Sequence, residues 1–225
     1  MKIFNIFPET IFSIGPVQIT DTVITTWIVM AAIIAICYLS TRKLSVKPSF
    51  FQEILEAIFE AIEKTIKDIL PLDPWLVVPV LGTLWFLIGF SNLAGLIPGL
   101  KTPTADLNTT FAFALISFSM THVVGIATQG LRGYLMHYKE PTWILLPFHL
   151  IAEVTRTVAL AVRLFGNMLS GDMIAIILLG IVGLLVPIPF SLLHIIIALI
   201  QAYIFGVLTL VFIAGGMRTT SEKEA

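Results

Sequence analysis

The sequence predicts an all-α integral membrane protein, with about five membrane-crossing helices and one amphipathic helix at the interface. Hydrophobic residues fill 57% of the 225 positions, and the mean hydropathy is +0.99. Charged residues make up only 12%, against roughly 25% in soluble domains. That is too few to cover an ordinary globule. The apolar residues also fall in runs long enough to cross a ~30 Å hydrocarbon core, which takes about 20 residues of helix. The same composition excludes disordered tails and nucleic-acid modules, since both need charge in excess. A net charge of −1 offers no footprint for an acidic partner. A single cysteine, Cys37, excludes an intrachain disulfide and a cysteine-based metal site.

The first residues do not read as a secretory signal, because Lys2 is their only basic residue and Pro8, Glu9, Pro16 and Asp21 interrupt the apolar stretch. The first span is expected at 23–40, with Trp27 and Tyr38 as interfacial aromatics. Arg42, Lys43 and Lys47 follow it and place that end in the cytoplasm. Residues 51–70 put Phe51, Ile54, Leu55, Ile58, Phe59, Ile62, Ile66, Ile69 and Leu70 at helical spacing. Glu53, Glu56, Glu60, Glu63, Lys64, Lys67 and Asp68 take the other face. This is the interfacial amphipathic helix, closed by Pro71 and Pro74. Its acidic bias suits packing against a neighbouring protein at least as well as lying on lipid.

A second span is expected at 75–96, crossing outward to a polar loop that holds Pro103 and Asp106. A third, at 109–131, returns to a cytoplasmic interface marked by Arg132, Tyr134, His137, Tyr138 and Lys139. After Pro141 and Pro147, residues 148–186 form a proline-free helix of roughly 55–60 Å at ~1.5 Å per residue. That exceeds the bilayer core, so the helix tilts steeply or kinks at Gly166, Gly171, Gly180 or Gly183. Pro187-Ile188-Pro189 makes a tight turn into the last helix, 190–217, and the two long helices pair as an antiparallel hairpin. Five crossings leave the N-terminus outside and the C-terminus inside. Of 13 Lys and Arg residues, only Lys2 and Lys101 then face outward. No linker or internal repeat divides residues 1–225, which form a single domain.

The chemistry is concentrated on the hairpin. Its first helix carries Glu153, Arg156, Arg163, Asn167, Ser170 and Asp172, and its second carries His194 and Gln201. Arg163 stands out. An arginine at mid-membrane costs ~2.5–3.5 kcal/mol on insertion scales, and it cannot escape by losing its proton. Asp172 lies nine residues away, a rotation of about 180°, and so points to the opposite face. Glu153, three residues before Arg156, is expected to pair with it. Arg163 is thereby left without an anion on its own helix, and its anion is expected from another subunit. Antiparallel pairing puts Gln201 level with Arg163, and His194 level with Asp172 nearer the outer surface. The His194/Asp172 pair is either a proton relay at an aqueous inlet or a structural hydrogen bond between helices. Ser91, Asn92, Thr121 and His122 either line a cavity or bond helix to helix. The glycine-rich spots lack a following Lys-Ser/Thr and no nucleophile turn accompanies Ser, His and Asp, so no nucleotide, cofactor or catalytic triad is expected.

Arg163-Leu-Phe-Gly-Asn167-Met, Gln201-Ala-Tyr-Ile-Phe-Gly-Val-Leu-Thr, Asn92-Leu-Ala-Gly-Leu-Ile-Pro98 and Pro103-Thr-Ala-Asp106-Leu-Asn together resemble subunit a of the bacterial F-type ATP synthase membrane sector. The likeness runs from the first span to the last helix. It implies a multi-pass stator in the bacterial plasma membrane, non-catalytic itself, beside a rotating ring of c subunits. Each c subunit bears a membrane-embedded carboxylate, and b-type peripheral stalk subunits and the rest of the synthase are the other partners. The resemblance places Arg163 opposite that carboxylate with Gln201 beside it, and Asp172 and His194 in an outer half-channel. Glu153 and Arg156 fall near an inner one. Thr157 stands where many relatives have proline, which bears on helix geometry, and Gly95 where some have an acid, which removes one outer carboxylate. Two other readings compete. A self-contained secondary transporter, with Arg163 binding an anionic substrate, needs discontinuous helices or pseudo-symmetric halves, and neither is visible. A structural scaffold leaves Arg163 unexplained.

Overall fold

A computed structural model describes residues 10–14, 17–42, 50–70, 73–97, 100–137, 146–183 and 187–217. Lys2, Lys43, Lys47, Tyr138, Lys139, Pro71 and Pro141, on which parts of the topology rest, lie outside the described residues. The chain opens with a feature that no pattern in the sequence announces, an antiparallel hairpin of β1 (Thr10–Ile14) and β2 (Val17–Thr20). Its Ile, Phe and Val residues suit strands.

Among the described residues six α-helices follow: α1 (Asp21–Thr41), α2 (Phe50–Ile69), α3 (Val78–Ala94), α4 (Leu107–His137), α5 (Leu146–Val182) and α6 (Pro187–Met217). Four of them, α1, α4, α5 and α6, are long and apolar enough to cross a bilayer. The fifth expected span, α3, is shorter than 75–96: its 17 residues reach only ~25 Å at 1.5 Å each. At its start the chain winds a one-turn 3₁₀ helix, Pro74–Leu76, with Asp73 Oδ1 accepting from the Trp75 N–H at 3.1 Å. Gly95, Leu96 and Ile97 close the other end in tight turns. What α3 lacks in length it gains in burial, with Leu81, Trp85, Ile88, Ser91 and Asn92 all enclosed.

Glycine decides two other boundaries. The apolar pattern ends the third span at 131. Gly130, at φ 71° and ψ 158°, does break the helix there, but α4 resumes and carries Tyr134 back over Gly125. Only glycine takes that backbone cheaply. Of the four candidate kink sites in α5, Gly166, Gly171 and Gly180 lie inside one continuous helix, while Gly183 (φ 81°) ends it. Thr157 contributes to that continuity: its hydroxyl donates to the Glu153 carbonyl at 3.0 Å, where a proline would have displaced the ladder. The expected Pro187–Pro189 turn is corrected. Those residues form the first turn of α6, where a missing N–H costs nothing.

Two apolar clusters hold the bundle. One packs Ile62, Ile66 and Leu70 at the end of α2 against Leu81 and Trp85 of α3, Val124 of α4, and Leu210 and Ile213 of α6. The amphipathic helix therefore docks on its own chain, while its charged face stays mostly exposed. The other cluster joins Leu84 and Ile88, Phe113 and Ala114, Leu160, Ala161, Leu164 and Met168, and Ala198, Ala202 and Phe205. It clamps the α5/α6 hairpin to α3 and α4. Glycine permits a close approach here, since a methyl on Gly206 would overlap the Trp85 indole. That indole donates to the Tyr203 carbonyl at 3.2 Å.

Candidate functional site

Residues 160, 161, 164 and 168 define the packed side of α5. Arg163 lies roughly 100–120° around the helix from their mean direction and is exposed. No carboxylate ion pair to Arg163 is found among the described residues. Its nearest neighbours on the same face are Ala159, Gly166 and Ser170, also exposed. A methyl on Gly166 would meet nothing within 4 Å. A permanent cation thus stands in an apolar stretch on a face of small side chains that another helix can approach.

Around Arg163 the polar residues form two groups. Toward the Val182 end, the Asn167 amide donates to the buried Gln201 Oε1 at 2.6 Å. Sequence spacing puts Gln201 level with Arg163. Its bond instead goes to Asn167, one turn farther along, because Gln201 points into the bundle and Arg163 out of it. Ser170 donates to the Asn167 carbonyl at 3.0 Å. The His194 ring sits against Gly171, where a methyl would overlap it. Asp172 lies within side-chain reach of Thr102 and within electrostatic reach of His194. Asn167, Ser170, Gly171 and His194 line a cavity of about 130 Å³. Nothing in the sequence singles out Thr102, which is one of several threonines in a polar loop.

Toward the Leu146 end, Thr121, Tyr134, His149, Glu153, Arg156 and Phe212 line another cavity, of about 110 Å³. The expected Glu153–Arg156 pair is not the arrangement found. Glu153 Oε1 lies 3.7 Å from His122 Nε2, and the Arg156 guanidinium covers the Phe212 ring, its carbon 5.6 Å from the centroid. An aromatic face gives a partly desolvated cation an alternative to a carboxylate. His149 and Tyr134 are cavity residues that sequence reasoning misses. His149 is a lone histidine at a helix start. Tyr134 has the sequence signature of an interface marker, and only the Gly130 break folds it inward.

The remaining candidates divide. Asn92 is structural: it accepts from Thr104 Oγ1 at 2.6 Å and donates to the Ala198 carbonyl at 2.9 Å. Ser91 Oγ is fully buried and finds no hydrogen-bond partner among the described residues. Asp106 caps α4, accepting from the Asn108 N–H at 3.0 Å and from Thr22 Oγ1 at 2.7 Å. Lys101 and Asp21 pair at 2.7 Å beside it. These contacts tie α1 to the loop ahead of α4.

Comparison with known proteins gives one consistent result. The model of the family described as ATP synthase A chain matches residues 23–214. The chain is 46% identical over 217 residues to ATP synthase subunit a 2 of Pelobacter propionicus, covering 96% of this chain and 95% of the relative. It is 50% identical over 214 residues to ATP synthase subunit a of Legionella pneumophila (strain Philadelphia 1), covering 95% and 93%. With ATP synthase subunit a 1 of Hahella chejuensis it shares 46% over 210 residues, covering 93% and 89%.

Proposed function

The chain belongs to the ATP synthase A chain family, and we propose that it is the proton-translocating stator subunit of an F-type ATP synthase. In this reading the N-terminus lies outside and the C-terminus in the cytoplasm of a bacterial plasma membrane. The exposed face of α5 meets a ring of c subunits, and b-type stalk subunits hold the chain against rotation. ATP chemistry is done elsewhere in the complex.

Protons enter an outer half-channel past His194 and Asp172 and protonate a ring carboxylate beside Asn167 and Gln201. The neutral acid can then face lipid, as its anion cannot. After nearly a full rotation the acid reaches the inner half-channel at Glu153 and Arg156 and loses its proton. Arg163 stabilises the resulting anion, and its fixed charge keeps protons from passing directly between the half-channels. Each charge moved through 100 mV contributes ~2.3 kcal/mol. Several per turn therefore suffice to drive synthesis.

The observation that carries this reading is Arg163 itself, exposed and with no carboxylate ion pair among the described residues. The two cavities support it, because they open on either side of Arg163. The stretch Leu160 to Asn167 between them spans only ~10 Å of helix. The test is purification of the tagged chain from its membrane in mild detergent. A ring of small, carboxylate-bearing hairpin subunits should come with it in fixed ratio. Recovery of the chain alone, with an Arg163-dependent affinity for a soluble anion, would favour a transporter instead.

A further inference from the structure

The geometry assigns to His122 and Glu153 a role as a proton relay that holds a single shared proton. This rests on the reading that the cavity between α4, α5 and α6 is the inner half-channel. His122 Nδ1 lies 2.9 Å from the Phe118 carbonyl oxygen. A carbonyl only accepts, so Nδ1 carries a proton, and in the neutral ring Nε2 then presents its lone pair. That lone pair faces Glu153 Oε1 at 3.7 Å. Two acceptors facing each other fall short of a hydrogen bond, which is the unloaded state of the pair. A proton placed between them completes the bond, as acid and imidazole or as carboxylate and imidazolium. The two side chains then close from 3.7 Å to hydrogen-bond distance, and release of that proton to cavity water restores the starting state.

The surroundings favour one such proton over a fixed charge pair. The Phe118 ring lies 4.2 Å from the imidazole and the Tyr134 ring 5.9 Å away, edge-on. On the α5 side, His149 and Arg156 line the cavity with Glu153, while α6 contributes Phe212, Gly215 and Gly216, none of them titratable. Arg156 is held over Phe212. Tyr134 reaches this place only through the backbone break at Gly130.

The test uses the intact synthase in inverted membrane vesicles, where the cytoplasmic face is outside and its pH can be set. Passive proton flux is measured after the ATP-hydrolysing sector is stripped, as a function of that pH. Glu153→Gln and His122→Phe should each lower flux about a hundredfold, the lower range for a positioned acid–base group, and flatten its dependence on cytoplasmic pH. The double variant should be no worse than the worse single, and Glu153→Asp should keep the sloping profile. His122→Gln retains volume and a polar group but takes no proton. It should flatten the profile even if His122→Phe fails to assemble. Parental flux and profile in the single variants, or losses that multiply in the double, overturn the relay. Arg163→Ala, measured alongside, separates the two levels. Normal ATP-driven pumping there defeats the proposed function, whereas lost pumping there with unchanged His122 and Glu153 variants defeats the relay alone.

Discussion

Replacing Asn92 by alanine should destabilise the fold while leaving the ion path intact. The side chain is 1% exposed and makes two bonds, accepting from Thr104 Oγ1 at 2.6 Å and donating to the Ala198 carbonyl at 2.9 Å. The two losses differ. The Ala198 carbonyl lies within α6 and has a helical N–H within reach, so only the extra bond is lost, about 0.5–1.5 kcal/mol. Thr104 is fully buried, and its orphaned hydroxyl bears a desolvation penalty of about 1–3 kcal/mol. The sum is about 1.5–4.5 kcal/mol, or about one to three orders of magnitude in the folded-to-unfolded ratio at 1.4 kcal/mol per decade. Reversible denaturant unfolding of the purified chain in mixed micelles reads this directly. Thr104→Val leaves the buried Asn92 Oδ1 without its donor and should also cost about 1–3 kcal/mol, while the Asn92→Ala/Thr104→Val pair should be clearly sub-additive. Parental stability for Asn92→Ala together with collapsed proton flux would refute the reasoning and move Asn92 into the ion path.

Two further outcomes follow from particular contacts. Gly206→Val should push the Trp85 indole off Tyr203, break its 3.2 Å bond to the Tyr203 carbonyl, and destabilise by about 1–3 kcal/mol as overpacking does. Tryptophan fluorescence and the same unfolding titration would register both effects, and unchanged spectra and midpoint would contradict the close packing. Asp172→Asn should slow transport less than loss of Arg163 and alter its dependence on outer pH, because the amide keeps the Thr102 contact but cannot be a carboxylate. An unchanged pH profile would leave Asp172 a structural hydrogen-bond partner.

Much of this architecture is legible because the bilayer imposes strong rules on sequence. Apolar runs and scarce charge announce an all-α membrane chain, and that same scarcity makes Arg163 conspicuous. What escapes depends on contacts between distant segments. The β1–β2 hairpin follows from pairing that no helical period signals. The inward turn of Tyr134 hangs on one glycine dihedral. The exchange of Glu153's partner from Arg156 to His122 cannot be read along one helix, since it needs α4 and α6 alongside. Asn92 illustrates the same limit from the other side: a buried amide reads alike as cavity lining or as a tie between helices until its donor and acceptor are in place. The Asn167–Gln201 bond lies one turn from where antiparallel register puts it. Gln201 is buried and Arg163 exposed, so the two face opposite ways, a difference of face that spacing along one helix does not show.

The central claim is that Arg163 serves an anion that its own chain does not supply. Its most direct test is ATP-driven proton pumping by the assembled complex carrying Arg163→Ala. Such a role for Arg163 predicts a complex that assembles in normal amount, with ATP synthesis and coupled pumping abolished. Normal pumping by that variant would contradict it.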